Sequence, residues 1–270
     1  MKFSWLAPFA LALSSAPIFA SVAPAADLAP HRAVYDMRLG TAGHNSGVID
    51  IRGSMIMETS ESCDGWETTQ RIRLRFTHND SDETDSDSSF TSSESRDGLN
   101  YRFTTRNLQD GELDDEFTGE AALERANGPG KAVFTEPQEE EFKLPPGTVF
   151  PTTHMSKLID RAVAGENIIA FKVFDGSRLE GAFDVNAVIT GTQAKTALSI
   201  DNPLLKDQKT WVMRLAFFST KKNVADPEYE IVVELQANGV TRTITLDYGD
   251  FTVIGVLQDI QTLPRATKCN

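Results

Sequence analysis

Cysteine is scarce in this chain: there are two, Cys63 and Cys269, in 270 residues. That excludes a Cys-x-x-Cys redox pair and a four-cysteine zinc site. The four histidines, His31, His44, His78 and His154, show no metal-ligand spacing, so no metal or cofactor is expected. No serine or cysteine sits in a recognisable nucleophile elbow, and no catalytic residue is expected. Positive charge is also short. Lys and Arg total 26 against 39 Asp and Glu, a net charge of −13 that repels nucleic acid and anionic headgroups. Arg71, Arg73 and Arg75 cluster, but they alternate with Ile72, Leu74 and Phe76 as the wet face of a strand does. Beyond the first 20 residues no run is apolar over the ~20 residues that a membrane-spanning helix needs.

What the amino terminus does contain is a secretion leader. Lys2 precedes an apolar run from Phe3 to Leu13, then Ser14-Ser15-Ala16-Pro17 and small residues at Ala20 and Ala25. Cleavage is expected after Ala20, with Ala25 as the alternative. Residues 1–20 are then the signal peptide, and residues 21–270 one soluble periplasmic domain. In an oxidising compartment two cysteines normally bridge; two free thiols or an intermolecular bond are the alternatives.

Helical periodicity is confined to one useful stretch, Thr152 to Gly165. Met155, Leu158, Ile159, Ala162 and Val163 fall on one apolar stripe, with Pro151, Thr152 and Thr153 as start signals and Gly165 as the stop. The rest reads as short alternating strands with turns at Asp97-Gly98, Asp110-Gly111 and Asn127-Gly128-Pro129-Gly130. Asp175-Gly176 and Asn238-Gly239 signal hairpins, the second with a type I′ turn. A phase slip around Gly249 implies a bend, and Asn202-Pro203 opens one further helical turn at Leu204-Leu205. A lone amphipathic helix must bury its stripe, and the large apolar surface on offer is the inner face of a sheet. The expected fold is therefore mainly β, a curved antiparallel sheet wrapped around one helix. Residues 79–89, including Asp80 to Asp87, are read as a solvated acidic loop, lacking the turn glycine and twelfth-position acid of a calcium loop.

The leader, the early and terminal cysteines, Glu94 to Phe103 (ESRDGLNYRF), Leu144 to Thr152 (LPPGTVFPT), Phe174-Asp175-Gly176 and Leu246 to Phe251 (LDYGDF) together resemble the EipB family of periplasmic proteins. The resemblance covers nearly the whole mature chain. It implies an α-proteobacterial protein needed for cell-envelope integrity. It also implies an antiparallel, partly barrel-like β-spiral holding a helix and a Cys63–Cys269 disulfide. That architecture is similar to the half-open barrels of lipoprotein carriers, which bind acyl chains. No catalytic residues come with the family.

Two functions follow. The first is a non-enzymatic envelope protein binding a lipid, a lipopeptide or another periplasmic protein in an apolar cavity. The expected lining is Met155, Leu158, Ile159, Ala162 and Val163 from the helix, with Phe171, Val173, Phe217, Ile244, Leu246 and Phe251 from the strands. The second is a hydrolase of envelope glycan or peptide using Asp247 and Asp250, although Asp beside Gly is usually turn chemistry. His154, near the helix start, is expected as a surface residue or a neighbour of the cap.

Overall fold

The computed structural model describes residues 26–80, 82–220, 225–267 and 269. The expected leader, with both of its cleavage points, lies outside the described residues. Among the described residues, period-two alternation builds fifteen strands, all in one sheet. The first eight are β1 (His31–Ala42), β2 (Val48–Glu61), β3 (Gly65–His78), β4 (Glu83–Ser95), β5 (Asn100–Gln109), β6 (Glu112–Leu123), β7 (Gly130–Glu136) and β8 (Glu140–Leu144). A two-residue β9 (Thr148–Val149) leads into the helix α1 (Pro151–Val163). Then come β10 (Ile168–Val173), β11 (Phe183–Gly191), β12 (Thr210–Ser219), β13 (Tyr229–Gln236), β14 (Thr241–Asp247) and β15 (Phe251–Thr262).

The first and last strands pair with each other at the middle of the sheet. From there β2 to β8 meander to one edge, and β14 back to β9 to the other. Every pairing is antiparallel except β9 with β10. The two edge strands are consecutive in the chain, joined by Pro145-Pro146-Gly147. Four Cα steps reach at most about 14 Å, so the edges must lie close together and the sheet is bent into a nearly closed barrel.

Three apolar clusters fill the concave side. One surrounds α1, whose Leu158, Ile159 and Ala162 are 3%, 1% and 2% exposed against Val173, Val185, Trp211, Met213 and Phe217. A second lies under β1, β2 and β15, around Tyr35, Met37, Ile51 and Val253. The third is aromatic and sits under β5 to β8. The expected sheet wrapped around a helix is thus what the chain forms.

Helix α1 begins at Pro151 and ends two residues before Gly165. Gly165, at φ +88°, donates its N–H to Ala162 O (3.1 Å), and Glu166 donates to Arg161 O (3.1 Å), the pattern of a Schellman stop. Val163 departs from expectation. It sits on the margin of the stripe in the last helical turn and is 52% exposed, so it lines nothing inside.

The acidic run is a second correction. Only its first residues form a turn, and β4 starts at Glu83. Its outward acids stand opposite the arginines of β3: Asp87 lies 2.7 Å from Arg71 and 3.0 Å from Arg73, and Asp85 lies 2.8 Å from Arg75. Such exposed pairs add little individually, but they cancel the like-charge repulsion that made the run read as a loop.

Both expected hairpins form, β10 with β11 and β13 with β14, but the first closes through a long loop and the second without the expected type I′ turn. Between β10 and β11 residues 174–182 fold inward. Phe174 packs edge-on against Tyr101, Phe103, Phe134 and Phe150, with centroids 5.5–6.5 Å apart. Tyr101 Oη donates to Asp175 O (3.0 Å), and a Cβ at Gly176 (φ +69°) would come within 2.3 Å of the Phe103 ring. Only glycine fits there. At 237–239, Gly239 has positive φ while Asn238 does not, so the turn is not type I′.

Candidate functional site

The start of α1 has no acid of its own and no side-chain cap from Phe150. Strand β4 supplies one. Glu94 is 4% exposed and accepts from Thr152 N (2.7 Å) with one carboxylate oxygen. Its other oxygen accepts from Thr153 N (2.9 Å) and from the Thr153 hydroxyl. A carboxylate at a helix N-terminus satisfies orphan amides and interacts favourably with the dipole. Burial pushes its pKa up and the hydrogen bonds oppose that. Thr152 and Thr153 are thus the capped residues rather than the caps.

One turn on, His154 is buried rather than on the surface. Its ring packs edge-on against Phe171 at 5.2 Å, and Nε2 has no hydrogen-bond partner among the described residues. Burial pushes its pKa down to about 4 from 6.5, so the fold holds the neutral imidazole. The sign follows: stability from this group is complete above about pH 6.5 and is lost as pH falls toward 4. The gap is worth roughly 3 kcal/mol. Buried His31 acts in the same direction, whereas Glu94, with its pKa raised, favours the fold more at low pH. His154→Phe is therefore expected to be less destabilised than the parent between pH 6.5 and 4, by roughly 3 kcal/mol in urea titrations at the two pH values. Parallel acid losses in both proteins would contradict it.

Beside the helix start lies an interior cleft of about 270 Å³, lined by Pro151, by Gln70, Ile72, Ser88, Phe90 and Thr105 of β3 to β5, and by Asp175 and Ser177 of the inward loop. Ile72 stands opposite buried Met55, and Phe90 opposite buried Thr105, so both face inward. Each is nevertheless only partly buried.

The expected lining residues divide into three groups. Met155, Leu158, Ile159, Ala162, Phe171, Val173 and Phe217 come together around α1; all are buried except Met155 and Phe171, which stay partly accessible, Phe171 lining a separate cleft. Ile244, Leu246 and Phe251 belong to the cluster under the central strands. Ile244 and Leu246 face inward opposite Val233 and Ile231, and all three stay partly accessible. Val163 is in solvent. Sequence reasoning missed Glu94, Asp175 and Phe90. An isolated acid among serines in a strand gives no local sign of a helix 57 residues away.

Asp247 uses one carboxylate oxygen to accept from Gly249 N (2.9 Å), closing the β14–β15 turn. Among the described residues no cluster of three or more His, Cys, Asp or Glu could hold a metal ion. Cys63 and Cys269 are bonded, joining the β2–β3 turn to the tail beyond β15.

A sequence profile described as EipB-like matches residues 22–264. The chain is 35% identical over 243 residues to the cell envelope integrity protein EipB of Brucella abortus (strain 2308), covering 88% of this chain and 85% of that one. It also superposes on the crystal structure of a β-barrel-like protein of a domain of unknown function from Brucella abortus. There the TM-score is 0.82 at 31% identity, covering 89% of this chain and all of the other. With its one wrapped sheet, inner helix and early-to-terminal disulfide, this chain belongs to the EipB-like family.

Proposed function

We propose that this protein maintains cell-envelope integrity from the periplasm, without catalysing a reaction, by holding an apolar ligand inside its barrel. The ligand is an acyl chain, free or carried on a lipopeptide or a lipidated protein partner. One observation carries this reading. Ile72, Phe90, Ile244, Leu246 and Phe251 face the concave side yet stay partly accessible, and Ile72 and Phe90 line a cleft of about 270 Å³. Apolar side chains facing inward but not packed are what an acyl chain would cover, at about 0.8 kcal/mol per buried CH₂.

The compartment is supported by the leader pattern at Lys2 to Ala20 and by the Cys63–Cys269 bond, which persists in oxidising surroundings. No helix among the described residues is long and apolar enough to cross a membrane. The envelope role is carried over from the Brucella abortus relative, a cell envelope integrity protein.

Titration with a fluorescent fatty-acid probe tests the reading. The parent is expected to take up the probe, and Leu246→Glu and Phe251→Glu to bind it at least about tenfold more weakly while circular dichroism stays unchanged. Undiminished uptake in both folded variants would overturn it.

A further inference from the structure

We propose that the cleft between Pro151 and the inward loop is a site for an amphipathic cation, its short apolar chain on Ile72, Phe90 and Pro151 and its ammonium head on the carboxylate of Asp175. This rests on the reading that the barrel interior takes an apolar ligand, and adds the chemistry of the head group. The cleft contains one formal charge, Asp175, and no cation. No ion pair joins Asp175 to a described residue. Arg178, three positions on, pairs with Glu228 (2.6 Å) and lies over the Tyr229 ring (5.5 Å), so its charge reaches Asp175 only through space and is shared with Glu228. Asp175 accepts from Ser177 N (2.9 Å), which orients the carboxylate without neutralising it.

The remaining polar groups point to the same head group. Ser88 donates its hydroxyl proton to Asn107 Oδ1 (2.6 Å), and Thr105 donates to Gly176 O (3.4 Å). Gln70 donates its amide to Met55 Sδ (3.4 Å). The lining hydroxyls of Ser88, Thr105 and Ser177 are engaged as donors within the protein, so apart from the second Gln70 N–H the groups left for a ligand are acceptors: the Gln70 carbonyl, the three hydroxyl oxygens and the Asp175 carboxylate. A primary ammonium carries three donors and no acceptor, which complements this lining. A carboxylate or phosphate head would meet acceptors and like charge. Burial pushes the Asp175 carboxyl above its ordinary range, and the Ser177 hydrogen bonds and the nearby charge of Arg178 only partly oppose that. At about 30 Å³ per water-sized group, 270 Å³ takes roughly nine such groups, the size of an eight-carbon chain with its head.

Displacement of neutral N-phenyl-1-naphthylamine from the full-length oxidised protein at pH 7 tests this. Octylamine, 1-octanol and octanoate share a chain and differ in the head. Octylamine is expected to compete at about tenfold lower concentration than octanol, and octanoate more weakly than either. Asp175→Asn keeps the acceptor for Ser177 N and is expected to bring octylamine down to the octanol level, leaving octanol unchanged. Octanoate competing as well as octylamine, or an amine preference that survives Asp175→Asn, would overturn the proposal. Should that variant not fold, the parent's ordering of the three competitors decides alone. Octanol competing with no amine preference sinks the head-group inference only; failure of the probe itself to bind sinks the apolar-ligand reading beneath it.

Discussion

Replacing Cys63 by serine is expected to destabilise the oxidised protein by about 5 kcal/mol at most, or roughly 10–20 °C in melting temperature. The bond links residues 206 positions apart, so in the unfolded chain it closes a very long loop and removes much conformational freedom. In the folded state it holds the tail after β15 against the β2–β3 turn. There the exposed Arg265 of the tail pairs with Asp27 (2.8 Å) and lies 3.8 Å from Glu61. Those contacts hold the tail weakly by themselves. Melting parent and Cys63→Ser with and without reductant checks the expectation: reduction should bring the parent down to the variant and leave the variant unmoved. Equal melting of the two oxidised proteins would remove the disulfide from the account of stability.

The second large effect lies at Glu94. Its removal as Glu94→Ala leaves the amides of Thr152 and Thr153 and the Thr153 hydroxyl without their acceptor in a buried place, and takes a negative charge from the helix start. Unmade buried hydrogen bonds cost about 1–3 kcal/mol each and a lost cap about 1, so a total of about 4 kcal/mol is expected after partial relaxation. Glu94→Gln keeps one oxygen and should cost about half of that. Because Glu94 joins β4 to the helix between β9 and β10, its loss loosens the two halves of the sheet from each other. Urea unfolding midpoints measure both variants. A cost under 1 kcal/mol for Glu94→Ala would mean that water replaces the carboxylate and that the helix is not fastened from β4.

Much of this architecture could be read in the chain because it rests on local periodicity. Leu158 and Ile159 marked the buried side of α1, and alternation marked most strands. Gly165 marked the helix stop because an αL residue there is chemically particular. What escaped depends on partners distant in sequence. Strand β4 looks like a solvated loop until Asp85 and Asp87 are set beside the arginines of β3. Glu94 becomes a cap only when β4 is laid over Pro151. Asp175-Gly176 carries the local chemistry of a tight turn, yet Phe174 is drawn inward by the aromatic cluster of β5 to β8 and takes the loop with it. His154 was misread because its burial comes from Phe171 on another element. Of the residues expected to line a cavity, Leu158, Ile159 and Ala162 of α1 are consumed by packing, whereas Ile244, Leu246 and Phe251 stay partly accessible, as Ile72 and Phe90 of β3 and β4 do.

Native mass spectrometry of protein isolated gently from its own periplasm, alongside Phe251→Glu prepared identically, tests the central claim most directly. A small molecule is expected to be retained on the parent, released by collisional activation and recovered as an apolar chain, with little or none on the variant. A parent that arrives bare, or a variant that carries the same mass, would contradict it.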